Sequence, residues 1–565
     1  MKRFSLFCIV YCAVAAVLYA SEVCTVTETA LVPEPFTEAH SVPDYESGAI
    51  QTHIEFPHLL KDSIAYIDVP WNPQWIGAES AFLYHHGIAR VACALASASY
   101  GKITDSGSVT GLSATYHALG FAQSSIEYHY NTVYDDEEWG VDQTSFSFAQ
   151  QTVRTDSGAV RTVVAIVIRG TPLNKEEWIS NANVADSLSE PVQKKQQRIV
   201  PTEHEGFAKA TQQVYAAFLR YLAQYHLNPA DIYVLVTGHS RGASVSNLLA
   251  VALPEAGIAA ERIYAYTFAA PNVTRAQDVW NEKYGYIWNI VNQEDLVPTV
   301  PFESNAWGYR KYGHILPIAS YFSTPDIYTF SEHMLPAMNN VYRVLMERDY
   351  APFKTGNFVP YVIAAVSQLL DKDVIAYYSG GRAMHDPLVA IFSKIFSMEI
   401  DDPLLAIKEQ SGLLVVLLNM LEEQYPGITE KAAKALYDMH GAETYFAWML
   451  SASPEQLFKT CDTYLLRCSG RAEVLVTDAA GTLCARVING IPEKFIQMGE
   501  IPVFKLPAGD ICIGIPGNRA YTLTISHDSV LPSSVELSIE TILGSGTVQK
   551  KVAYPSLSVH WLKLF

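Results

Sequence analysis

The chain has 565 residues, 49% of them apolar and 17% charged, with a net charge of −19 at neutral pH. That length exceeds one ordinary core and calls for two to four domains at roughly 150 residues each, and the composition excludes a disordered, collagenous or repeat-built protein. The negative charge repels nucleic acid and polyphosphates, so no nucleic-acid partner is expected.

Lys2 and Arg3 lead into the apolar run of "MKRFSLFCIVYCAVAAVLYA", which ends in small residues. This is a signal-peptide layout, short of the roughly 20 apolar residues a bilayer span needs, so 1–20 is expected to be removed after Ala20. Export would place the protein in the periplasm, at the cell surface or outside the cell, where disulfides can form. Cys24, Cys93, Cys461, Cys468, Cys484 and Cys512 would remain. Four of them lie at or beyond Cys461, which invites a bridge there, and none has zinc-site spacing.

Residues 21–60, rich in Pro, Thr and Glu, read as a loosely ordered lead-in. Apolar spacing from 80 to 100 predicts a helix, and the His85-His86 pair within it reads as surface rather than as metal ligands. "IEYHYNTVY" and "TSFSFAQQTV" alternate as strands do. Residues 163–168 form a continuous, β-branched-rich run, as expected of a strand buried on both faces. A helix is predicted near 204–225, a strand at "DIYVLVTG", a helix after Ser240 that stops at Pro254, and buried strands at "RIYAYTFAAP" and "YIWNIVNQ". Strands alternating with helices make an α/β fold, a mostly parallel sheet with helices on both faces. From about 316 to 434, segments such as "GLLVVLLNMLEEQY" read as a helical insertion in a catalytic domain spanning 61–458. Over 459–565, short alternating strands with Gly, Pro and Asp turns read as a small all-β, sandwich-like accessory domain.

Ser240 is the only serine with glycine at both −2 and +2, Gly238 and Gly242, and it falls where a buried strand turns into a helix. Such a turn lifts a serine hydroxyl above the sheet and aims the next amide, that of Arg241, at a developing oxyanion. A serine nucleophile needs a base and an orienting acid. Asp295 follows a later buried strand and precedes Val297-Pro298, with Glu294 as the rival carboxylate; Asp186, Asp231 and Asp278 lack that placement. The base must follow the acid in chain order. His314 is too close to the acid loop, and His527 and His560 fall in the β domain, which leaves His333, His385 and His440. "HEGF" at 204–207 lacks the second histidine of a zinc helix, so no metal or other cofactor is expected.

Together these stretches resemble the class 3 (fungal-type) lipases of the α/β-hydrolase fold, in a bacterial secreted branch. The matching motifs are "VVAIVIRGTPLNKEEW", "HEGF", "TGHSRGASVSNLLA", "YTFAAPNVT", "NIVNQEDLVPTVPFESNAWGYRKYG" and "MHGAETYFAWM", in order over roughly 100–449. The resemblance implies Ser240 as nucleophile, Asp295 as acid and His440 as base, because "HGAETY" matches an H-x-x-E-x-Y ending; His333 and His385 are the alternative bases. It implies an oxyanion hole from Thr171, at the end of "IRGT", and Arg241. The segment 181–199, where the family carries its lid, contains "KKQQR" and is not strongly apolar, which passes any covering role to the helical insertion. The implied function is a serine ester hydrolase, a triacylglycerol lipase or carboxylesterase, acting on a lipid or small ester in transient contact with a lipid surface. The alternatives are a phospholipase or acyltransferase on the same triad, or a catalytically silent surface-binding scaffold.

Overall fold

The computed structural model describes residues 45–350, apart from 58–63, 171–201, 300–308 and a few shorter gaps, then 438–460 and the strands within 463–564. The lead-in expected over 21–60 ends in regular structure: β1 (Ile50–Pro57) pairs antiparallel with β2 (Ile64–Trp71). Ile54, Phe56, Val69 and Trp71 of this hairpin are buried in the main core, so alternate apolar residues fix it there.

The central sheet has seven strands in chain order: β3 (Glu127–Asp136), β4 (Gly140–Arg154), β5 (Val160–Ile168), β6 (Ile232–His239), β7 (Ile263–Phe268), β8 (Ile287–Asn292) and β9 (His314–Ile318). β3, β4 and β5 pair antiparallel, and β5 through β9 run parallel. Every residue of β7 and β8 is buried, as is β6 except for one position, which is why these strands read as unbroken apolar runs. Burying one Val, Ile or Phe side chain fully contributes about 1.5–3 kcal/mol, so this block dominates the stability of the core.

Two helix pairs cover the sheet. α1 (His86–Ala98), followed by the short α2 (Leu112–Ala118), lies on β6 and is buried along its whole length; its Ala, Gly and Ser residues permit that close approach. Thr237 of β6 donates its hydroxyl to the Ala92 carbonyl at 3.0 Å, tying sheet to helix. α3 (Glu205–Gln224) packs against α4 (Arg241–Ala252), which lies on β6 and β7. After β9 the chain turns through Ile327–Thr329 and a π-turn at Phe330–Met334 into α5 (Leu335–Met346), and α6 (Ala442–Ser451) packs between α5 and α1. This mixed sheet, parallel from β5 to β9, with its two helix pairs is an α/β-hydrolase core.

Three local expectations need correction. The helix read from 80 begins at His86, because the His85 side chain accepts from the Ile88 amide and caps it there. His85 and His86 are buried, not surface residues: the Tyr84 hydroxyl lies 2.8 Å from His86 Nδ1, and His86 Nε2 reaches the carbonyls of Met449 and Ala452 at the end of α6. Burial pushes His85 down to about 4 and His86 well below the ordinary histidine value. Finally, the helical insertion expected from about 316 opens with the end of β9. Pro317 hides this strand from sequence patterning, yet β9 is an edge strand, where proline's missing N–H is tolerated. Residues 351–437, which hold most of the expected insertion, lie outside the described residues.

Between Thr463 and Leu564 the described strands form two five-stranded antiparallel sheets. Along Glu473–Asp478, buried Val474 and Val476 alternate with half-buried neighbours, and Val476 pairs with buried Leu523 across the ladder. Cys93 is a buried thiol on α1; the side chains of Cys461, Cys468 and Cys512 lie outside the described residues. No helix among the described residues is long and apolar enough to cross a membrane.

Candidate active site

Ser240 sits between the end of β6 and the start of α4 with φ 56° and ψ −129°, a backbone region an L-residue adopts only when its surroundings force it. Its amide donates to the Phe268 carbonyl at 2.9 Å, and its carbonyl accepts from the Ala243 amide at 2.9 Å, so sheet and helix together hold the strained turn. The flanking glycines are steric necessities. A Cβ on Gly238 would lie 2.5 Å from the Gly242 carbonyl, and one on Gly242 would lie 2.2 Å from the Ile168 oxygen.

Asp295 lies in the turn after β8, 1% exposed. Its Oδ1 accepts from the Val297 amide at 2.9 Å. His440 stands just before α6. Its Nδ1 is 2.8 Å from Asp295 Oδ2, and its Nε2 is 2.9 Å from Ser240 Oγ. A carboxylate only accepts, which assigns the proton to Nδ1 and leaves Nε2 to accept from the serine hydroxyl. Three side chains separated by 200 and 145 residues thus form one hydrogen-bonded line.

Residues 165–305 match the family described as Lipase (class 3). Over that span the chain resembles the class 3 lipases. The span contains Ser240 and Asp295 and ends before His440. Among solved structures, the chain is similar to a fungal lipase in complex with an inhibitor (23% identity, 34% of this chain and 67% of that one, TM-score 0.25). It is also similar to the Rhizomucor miehei lipase–propeptide complex (18% identity, 54% and 81%, TM-score 0.26) and to lipase II from Rhizopus niveus (16% identity, 41% and 80%, TM-score 0.27). No curated protein matches the chain. The chain is a lipase-type ester hydrolase with a serine triad.

The matched segment separates its two neighbouring carboxylates sharply. Asp295 accepts from the Val297 amide, the His440 ring and the Tyr445 hydroxyl. Glu294, 6% exposed, has an oxygen, Oε1, without a hydrogen-bond partner, and burial pushes its carboxyl up to about 8. Of the two, only Asp295 meets the imidazole.

Of the other sequence-read residues, Arg241 opens α4 immediately after Ser240, and its side chain is 1% exposed. Its amide lies in the first turn of α4. β5 ends at Ile168, and Thr171, expected in the oxyanion hole, lies outside the described residues, as does His385. His333 is exposed on the π-turn with its ring edge-on to Tyr328, while His440 fills the place beside Ser240. His314 is buried and stacked on Trp288 at 4.2 Å. Among the described residues no group of three His, Cys, Asp or Glu side chains could hold a metal ion.

Sequence reasoning assigned no role to Tyr445 or Asn292. The Tyr445 hydroxyl donates to Asp295 Oδ2 at 2.9 Å and accepts from the Asn292 amide at 2.9 Å. The Asn292 side chain donates to the Met439 carbonyl at 3.0 Å, one residue before His440. Tyr445 stands within the quoted "HGAETY" motif, the one signal that could have found it.

Proposed function

We propose that the protein is an exported ester hydrolase acting on acylglycerols or related carboxylic esters through an acyl-enzyme. The observation that supports this reading best is the unbroken hydrogen-bonded line Ser240 Oγ–His440–Asp295, with spacings of 2.9 and 2.8 Å, at a strained strand-to-helix turn.

In this reading Ser240 Oγ attacks the ester carbonyl carbon while His440 Nε2 takes its proton. Asp295 holds the resulting imidazolium. The oxyanion of the tetrahedral intermediate is met by the Arg241 amide and by Thr171, each such donor lowering the barrier by roughly 3 kcal/mol. Collapse breaks the C–O bond, and the alcohol leaves with the proton from His440. Water, deprotonated by the same ring, then attacks the acyl-serine, and the acid departs as Ser240 recovers its proton. No step calls for a metal or an organic cofactor.

Export rests on Lys2, Arg3, the apolar run after them and the small residues up to Ala20. The substrate class rests on the match to the lipase family model over 165–305. A fluorophosphonate probe tests the chemistry: wild type should be labelled and Ser240→Ala should not. Folded wild-type protein that takes no label refutes the reading. An ester series from acetate to palmitate, offered as monomers and as micelles, then distinguishes a lipase, whose rate rises at micelles of the longer esters, from a carboxylesterase.

A further inference from the structure

The residue before Ser240 is a histidine that the serine chemistry does not use. His239 is 3% exposed. Its Nε2 lies 2.8 Å from the main-chain carbonyl oxygen of His440, and its Nδ1 lies 2.8 Å from the Tyr100 hydroxyl. A carbonyl can only accept, so Nε2 carries the proton; a neutral ring then leaves Nδ1 to accept, and Tyr100 donates. Burial, with His440 alongside, holds the His239 imidazole far below its ordinary pKa and so keeps it neutral. The order Tyr100 O–H to His239 to the His440 carbonyl is therefore directional.

The surroundings leave this pair no slack. The His239 ring lies 4.9 Å from the His440 ring and 5.7 Å from that of Tyr445. A Cβ on Gly170 would fall 1.9 Å from the Tyr100 hydroxyl and 2.6 Å from the His239 carbonyl oxygen, so glycine there is what admits Tyr100 to His239. The segment that presents the base is clamped at three successive carbonyls: Asp438 by the Thr444 hydroxyl, Met439 by the Asn292 amide group, His440 by His239. The first two clamps come from α6 and the end of β8. The third comes from the residue bonded to the nucleophile.

We propose that His239 and Tyr100 are positioning residues, fixing the His440 backbone so that its ring stays in line between Ser240 and Asp295. This rests on the ester-hydrolase reading. His239 ties base to nucleophile through the main chain, independently of the Ser240–His440 hydrogen bond that breaks and reforms in each cycle. Because the His239 ring is neutral, it does so without opposing the positive charge that develops on His440.

The test compares wild type with His239→Leu, His239→Gln and Tyr100→Phe on p-nitrophenyl butyrate, with melting curves for each. His239→Leu should lose about 100-fold in kcat, the scale of a 1 Å misplacement, with KM changed less than about twofold. His239→Gln, whose amide can still donate to the His440 carbonyl, should stay within about fivefold of wild type, and Tyr100→Phe should fall roughly tenfold. A folded His239→Leu with wild-type kcat overturns the proposal, as does a Gln variant no better than Leu. If His239→Leu does not fold, Tyr100→Phe decides, since it removes a single oxygen: unchanged kcat overturns the proposal. Wild-type protein inactive on every ester would instead defeat the ester-hydrolase reading, before any variant is compared.

Discussion

Replacing Glu294 by Gln tests whether the two adjacent carboxyls differ as described. Glu294 is 6% exposed, has an unpartnered Oε1, and is pushed by burial from about 4.5 up to about 8. Its folded-state pKa lies above its unfolded one. The protonated acid is therefore fully compatible with the fold below about pH 4.5, stability falls as pH rises from there to about 8, and the loss levels off above. The gap corresponds to roughly 5 kcal/mol at most. Gln cannot ionise, so Glu294→Gln should escape this loss. Urea unfolding followed by tryptophan fluorescence at pH 5, 6.5 and 8 should show the variant gaining on wild type as pH rises, by several kcal/mol at pH 8. Its esterase activity should persist. Asp295→Asn, by contrast, should lower kcat by about 10⁴-fold, because an amide facing Nδ1 favours the wrong tautomer. A stability difference between Glu294→Gln and wild type that stays flat with pH would refute the assignment of Glu294 as a buried neutral acid.

Tyr445→Phe removes one of the donors on Asp295 and leaves the Asn292 amide without its acceptor. Unfolding free energy should drop by about 1–3 kcal/mol and kcat should fall more than KM changes; an unaltered urea midpoint would count against the network. Gly242→Ala would place a methyl 2.2 Å from the Ile168 oxygen, backbone that cannot move aside. The expected outcome is a severe loss of soluble, cooperatively melting protein, and a variant with the wild-type melting temperature would show that the elbow is looser than described.

The elements legible in the sequence are those whose signal is local. β6, β7 and β8 are buried on both faces and so appear as unbroken apolar runs. Ser240 and Asp295 follow directly from such strands. β9 escaped because five residues with a central proline carry little strand signal, and the start of α1 was misplaced because a histidine cap resembles ordinary helix. The role of His239 could not be read at all, and that of Tyr445 had only the "HGAETY" motif to signal it. Their partners are 150 and 201 residues away, and a tyrosine or histidine acquires such a contact only when the chain has folded. Asp295 was chosen over its rival Glu294, but the physical reason was out of reach, since it turns on which of two adjacent side chains meets donors.

His440 reaches Ser240 from 200 residues later in the chain, on a segment clamped by His239 and by the end of β8. As the chain emerges during synthesis, the whole seven-stranded sheet, with serine and carboxylate in place, precedes the histidine. Until residues 438–440 dock, such a nascent chain holds a hydroxyl with nothing to take its proton. The hydrogen-bonded line from Ser240 to Asp295 is thus completed only by a segment that the chain supplies long after both.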